Sequence, residues 1–201
     1  MGPVKHTKHE WKAQRDALRR YERYLPTLQL KKKQLQAELR HIEAHLEEKE
    51  QAEQRQRAAL ASWIRLFAEP VDLAAYLRLE RAVTTTTNIA GVNIPVLQEV
   101  PFTRRLPDLF ETRPWVDEGL QVMESLLRLR VERDVLAEQH RLLGHELRAT
   151  SQRVNLFEKI KIPECLDNIR VIRIFLGDQQ TAGVVRAKMA KSKALEKVRA
   201  A

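Results

Sequence analysis

The chain has 201 residues, a net charge of +9, 31% charged residues, 5% aromatics and six glycines. That balance argues against a sheet-centred core and favours long helices, and the length allows one domain or two. The lone cysteine, Cys165, excludes an intrachain disulfide and fits a reducing compartment, and no apolar stretch approaches the length needed to span a bilayer.

The opening MGPVKHTKHEW lacks the apolar core of a secretion signal. Gly2 invites a myristoylation reading, but His6 stands where Ser or Thr is wanted. The expectation is a soluble, cytoplasmic protein.

Residues 27–69 contain neither glycine nor proline. They lie in a run of three- and four-residue apolar spacings through Trp11, Leu18, Tyr21, Leu25, Leu28, Leu35, Leu39, Ile42, Leu46, Leu60, Trp63 and Phe67. Gln14, Lys32, Lys49, Glu53 and Gln56 occupy polar positions of the same seam. A seam that repeats every 3.5 residues predicts a helix wound against another helix. The run should end near Glu69–Pro70. Pro26 is either a bend within this helix or a break behind a separate amino-terminal one.

From Pro70 to Trp115 the texture changes, with Pro70, Pro95, Pro101, Pro107 and Pro114 close together. Asp72 to Leu79 suggests a short helix. The β-branched run from Ala82 to Ile89, then Ala90–Gly91, then apolar residues alternating at Val92, Ile94 and Val96, predicts a β-hairpin, with an irregular loop as the alternative. Pro95 would sit on an edge strand because it cannot donate to a ladder.

Helical pattern returns near Val116. Leu136, Leu143, Leu147, Thr150, Val154 and Phe157 hold one seam, and Ile162, Leu166, Ile169, Ile172 and Leu176 continue it after a small change of phase. Pro163 falls inside this run and should bend it. The predicted fold is mainly α: a long antiparallel two-helix coiled coil with a small hairpin-containing head. Its parts are an amino-terminal helix over 1–70, a head over 71–115, and a carboxy-terminal helix with a basic tail over 116–201.

The tail carries Arg186, Lys188, Lys191, Lys193, Lys197 and Arg199 against Glu196. Such a patch suits nucleic acid, anionic lipid or an acidic protein surface, or is simply a solvated helix face. Aromatics do not interleave it, and no nucleic-acid-reading module is visible.

No GxxxxGK(S/T) or GxGxxG phosphate loop occurs. His41 and His45 share a helical face without a third ligand in view, so a solvent-facing pair is the simpler reading than a metal site. Cys165 reads as a packed thiol, and Thr84 to Thr87 as a strand before a phosphorylation site. No catalytic residue, cofactor or metal is expected.

Two motifs carry a family resemblance. One is Asn88-Ile89-Ala90-Gly91-Val92-Asn93-Ile94-Pro95-Val96; the other is Arg153-Val154-Asn155-Leu156-Phe157-Glu158 followed by Ile162-Pro163. Together they resemble the D subunit of the vacuolar/archaeal-type (V-type/A-type) rotary ATPases, the central rotor stalk, in its bacterial form. The likeness covers nearly the whole chain. Leu30-Lys31 and Lys33 match the end of a further family pattern, but Gln29 replaces a leucine and Pro26 stands where a glycine is usual.

The resemblance implies a non-catalytic shaft that couples ATP synthesis or hydrolysis in a hexamer to rotation of a proton- or sodium-carrying membrane ring. It implies as partners the catalytic and non-catalytic subunits of that hexamer, a small rotor companion and the funnel-shaped coupler above the ring. It further implies no nucleic acid, no membrane insertion, and a peripheral location on the cytoplasmic side of the bacterial inner membrane. Gly91, Val92, Ile94, Pro95, Arg153, Val154, Asn155, Glu158, Ile162 and Pro163 are the motif residues it offers as partner contacts. A coiled-coil adaptor and a basic helical nucleic-acid binder are the alternative readings.

Overall fold

The computed structural model describes residues 5–108 and 112–200, the last four of these by backbone alone. Gly2 and the side chains of Lys197 and Arg199 lie outside the described residues. The fold is mainly helical: long amino- and carboxy-terminal helices pack together, with small β-hairpins between them. Helix α1 spans Lys8–Leu60 and α2 Trp115–Leu156; a π-helical turn, Phe157–Lys161, joins α2 to α3, Ile162–Ala200. Four strands lie between α1 and α2: β1 Leu77–Leu79, β2 Val83–Ile89, β3 Val92–Glu99 and β4 Phe102–Arg104. The chain divides into two compact units, Lys31–Ala149 and Met1–Leu30 with Thr150–Ala201.

Every position of the three–four seam from Trp11 to Phe67 is buried or half-buried, the polar ones included. Pro26 lies inside α1, which continues through it, so the separate amino-terminal helix is not found. The proline leaves the Glu22 carbonyl without its usual donor four residues on, and next to it the Thr27 hydroxyl donates to the Tyr24 carbonyl at 2.7 Å.

Regular helix ends at Leu60 rather than near Glu69. Turns follow, then a 3-10 segment, Ile64–Ala68, that keeps Trp63 and Phe67 on the seam side. Phe67 meets Trp115 with ring centroids 5.3 Å apart, and the Trp115 indole N–H donates to Glu69 at 2.9 Å. The helix therefore tightens where its seam meets the start of α2.

In the Lys31–Ala149 unit, partners on α1 ascend as those on α2 descend, so the helices run antiparallel. Lys31 donates to Glu146 at 2.6 Å, Lys49 forms an ion pair with Glu132 at 2.7 Å, and the Ser125 hydroxyl donates to Gln56 at 3.0 Å. Leu35, Leu39 and Ile42 of α1, Leu143 of α2 and Ile94 of β3 form one buried cluster. Strands β2 and β3 pair antiparallel around Ala90–Gly91, whose φ angles of 50° and 80° are those of the tight turn that matches strand twist. The Asn88 side chain closes that turn, accepting from the Gly91 N–H at 3.0 Å and donating to Asn93 at 2.7 Å.

The short helix expected over Asp72 to Leu79 is instead a single 3-10 turn, Leu73–Ala75, followed by β1, which pairs antiparallel with β4. That pairing lays Leu77 and Phe102 against Val116 and Leu120 at the start of α2.

In the other unit, Tyr21 stacks on Phe157 at 4.9 Å and His6 on Phe175 at 4.9 Å, again antiparallel. Phe157 therefore lies opposite Tyr21, two turns before Leu28 on α1. The stripe expected through Leu166 runs through Cys165, which is buried with Ile169 and Ile172, while Leu166 is exposed.

The change of phase now has a cause. Seam residues Val154, Phe157, Ile162 and Cys165 are spaced by three, five and three, one residue more than a regular coiled coil takes. The π turn absorbs the extra residue, with the Ile162 N–H bonding the Phe157 carbonyl five residues back. Pro163 follows directly, so the wider turn lies where a proline's missing N–H and ring would disrupt a regular helix.

Candidate functional site

The two motifs fall in different units. In the first, Gly91 is exposed at the hairpin turn, Val92 and Pro95 are half-buried in β3, and Ile94 is 2% exposed within the helix-packing cluster. Gln139 of α2 donates its side-chain amide to the Pro95 carbonyl. The hairpin is thus held down on α1 and α2 through β3. Strand β2 is the free member: Val83 to Asn88 are all exposed, and Val83–Ile89 contains no charge and no proline.

In the second motif, Arg153, Val154 and Asn155 form the last turn of α2, Glu158 lies in the π turn, and Ile162–Pro163 opens α3. Val154 is buried and Ile162 half-buried, while Arg153, Asn155, Glu158 and Pro163 face solvent. Pattern matching alone could not reveal that this motif encloses the π turn; the five-residue seam step was its one visible sign. Beside it, Glu164 hydrogen-bonds Lys161 at 3.0 Å and holds that ammonium above its ordinary pKa. Burial pushes the Cys165 thiol up, which disfavours the thiolate.

His41 and His45 face one another with Nε2 atoms 3.2 Å apart. Among the described residues no group of three or more His, Cys, Asp or Glu side chains is arranged to hold a metal ion, and no helix is long and apolar enough to cross a membrane. Thr84 to Thr87 lie in β2, as their β-branching predicts. The basic residues Arg186, Lys188, Lys191 and Lys193 are exposed on α3.

Sequence comparison bears directly on this arrangement. The family model for the D subunit of ATP synthase matches residues 10–192. The chain belongs to the ATP synthase D-subunit family. Among relatives, the V-type ATP synthase D subunit of Borreliella burgdorferi is 43% identical over 199 residues, covering 99% of this chain and 98% of that one. The protein of the same name from Chlamydia abortus is 35% identical over 193 residues, covering 94% and 93% of the two chains. That of Chlamydia trachomatis serovar L2 is 34% identical over 196 residues, covering 94% and 95%. D-subunit membership thus extends over both units, the hairpin and the π turn.

Proposed function

We propose that the chain is the non-catalytic central shaft of a V-type rotary ATP synthase. It would transmit torque between a hexamer of alternating catalytic and non-catalytic subunits and an ion-carrying membrane ring. The observation that carries this reading is the family match over residues 10–192, on helices that pack antiparallel within the chain. Two wound helices resist twisting better than one, and a seam needs no catalytic group to do so.

In this reading residues 1–70 and 116–201 make the shaft and 71–115 the head. The complex sits at the cytoplasmic face of the bacterial inner membrane, the chain peripheral to it. The hairpin docks the small rotor companion and the coupler, and β2 is the strand that does so. An edge of six exposed residues without lysine or proline is what soluble proteins ordinarily avoid, so a partner covering it accounts for its composition.

Affinity purification of the full chain from its own cells tests the shaft. Recovery of the ATPase hexamer is expected, and its absence would remove the reading. Thr85→Glu with Thr87→Glu tests the head: companion binding should weaken while helicity stays unchanged, since neither threonine is buried.

A further inference from the structure

In the unit formed by Met1–Leu30 and Thr150–Ala201, a groove of about 450 Å³ opens between the start of α1 and the middle of α3. Trp11, Leu176 and Gly177 line its apolar part, and Lys8, Lys12 and Arg173 line it with charge. Two features set it apart from an ordinary surface furrow. The Trp11 indole N–H is shielded from solvent and has no hydrogen-bond partner, a desolvated donor that proteins seldom leave unmet. Lys8, Lys12 and Arg173 make no ion pair among the described residues, although ion pairs recur elsewhere along the helices. The Arg15 guanidinium lies 4.6 Å over the Trp11 ring and adds a further positive charge beside that ring.

We propose that this groove seats a carboxylate on an aliphatic segment, an Asp or Glu beside Leu, Ile or Val, from a subunit of the surrounding hexamer. This rests on the shaft reading above. The aliphatic part would cover Leu176 and the Trp11 ring, and the carboxylate would meet Lys12 and Arg173. The unmet indole N–H is a further donor available to that anion on rearrangement of the ring. Charge selects the occupant: an apolar floor alone would accept any greasy segment, whereas three unpaired cations and an orphan donor favour a carboxylate. Gly177 leaves open space for it, since a Cβ there would meet nothing within 4 Å.

The test titrates the full chain with the preassembled hexamer of the same organism at fixed ionic strength. Trp11→Phe keeps an aromatic ring and removes the donor, and should weaken binding about tenfold, the value of one charge-assisted hydrogen bond. Lys12→Glu with Arg173→Glu should weaken it more, while Arg40→Glu, exposed in the other unit, should not. A photo-crosslinker at Gln180, which also lines the groove, should label a hexamer peptide containing Asp or Glu next to aliphatic residues. Wild-type affinity in both groove variants, with circular dichroism unchanged, would overturn the groove while leaving the shaft. Failure of the wild-type chain to bind any hexamer would overturn both. Crosslinking only to a segment without a carboxylate would overturn the proposed occupant.

Discussion

Oε2 of Glu53 on α1 lies 2.9 Å from Nη1 of Arg133 on α2, and Arg57, one turn along α1, grips the other carboxylate oxygen at 2.6 Å. The carboxylate is almost wholly buried at a seam position where a leucine would otherwise stand. Two guanidiniums on one carboxylate offset its desolvation, but removing either side leaves a charge stranded.

Glu53→Ala should therefore lower stability by about 1–3 kcal/mol, as Arg133 loses its buried partner. Glu53→Leu, which refills the seam, should recover much of that loss. Thermal unfolding by circular dichroism compares the two; a leucine variant no better than alanine would mean that the ion pair, not the seam, governs this layer.

The π turn and Pro163 make a conditional pair. Deleting Ile160 restores regular three–four spacing and keeps Ile162, Cys165 and Ile169 on the seam. It also places the proline ring against a helical carbonyl, at about 3 kcal/mol. Deletion alone should destabilise markedly, and deletion combined with Pro163→Ala should not. Equal losses in the two backgrounds, measured by denaturant titration, would contradict this account.

At the hairpin turn, Gly91→Val forces a β-branched residue to φ 80° and should cost about 1–2 kcal/mol. Ala90→Gly relieves the φ of 50° at the neighbouring position and should be neutral or stabilising. Hydrogen exchange of β2 amides would register both changes directly.

Cys165 should react slowly with a disulfide reagent at mildly alkaline pH. Its raised pKa means less thiolate than a free cysteine carries at the same pH, and burial blocks approach. Denaturant should restore the rate of a model thiol. Fast reaction in the native protein would show that the stripe through Cys165, Ile169 and Ile172 is not packed.

Truncation after Val185 removes the exposed basic stretch from Arg186 onward and no buried residue among those described. Folding should be unaffected, and coupled ATP turnover in the assembled motor should fall. Unchanged turnover would assign the tail a role outside the motor.

The seam of α1 was legible because three–four spacing holds from Trp11 to Phe67, and polar interruptions such as Lys49, Glu53 and Gln56 fall on positions that the partner helix answers. The hairpin was legible through Ala90–Gly91 and the alternation at Val92, Ile94 and Val96. Strands β1 and β4 were not: Leu-Arg-Leu and Phe-Thr-Arg are too short to carry a period, and their pairing joins residues distant in the chain. The same holds for Ile94, whose burial depends on where Leu39 and Leu143 sit. The end of α1 at Leu60 is not legible, because absence of glycine and proline permits a helix without requiring one. The packed thiol of Cys165 was legible, but the exposure of Leu166 was not, because the five-residue step across the π turn sets the phase of α3.

The polar layers of the seam also govern what α1 meets while the chain is being made. Lys49 is answered by Glu132, Glu53 by Arg133 and Gln56 by Ser125, all on α2, which leaves the ribosome later than α1. Two nascent α1 helices zipped in parallel would set lysine against lysine at position 49 and glutamate against glutamate at 53. Each layer favours the chain's own second half over a neighbour on the same polysome, so the interruptions that weaken the apolar stripe act as a lock that only the later-arriving helix fits.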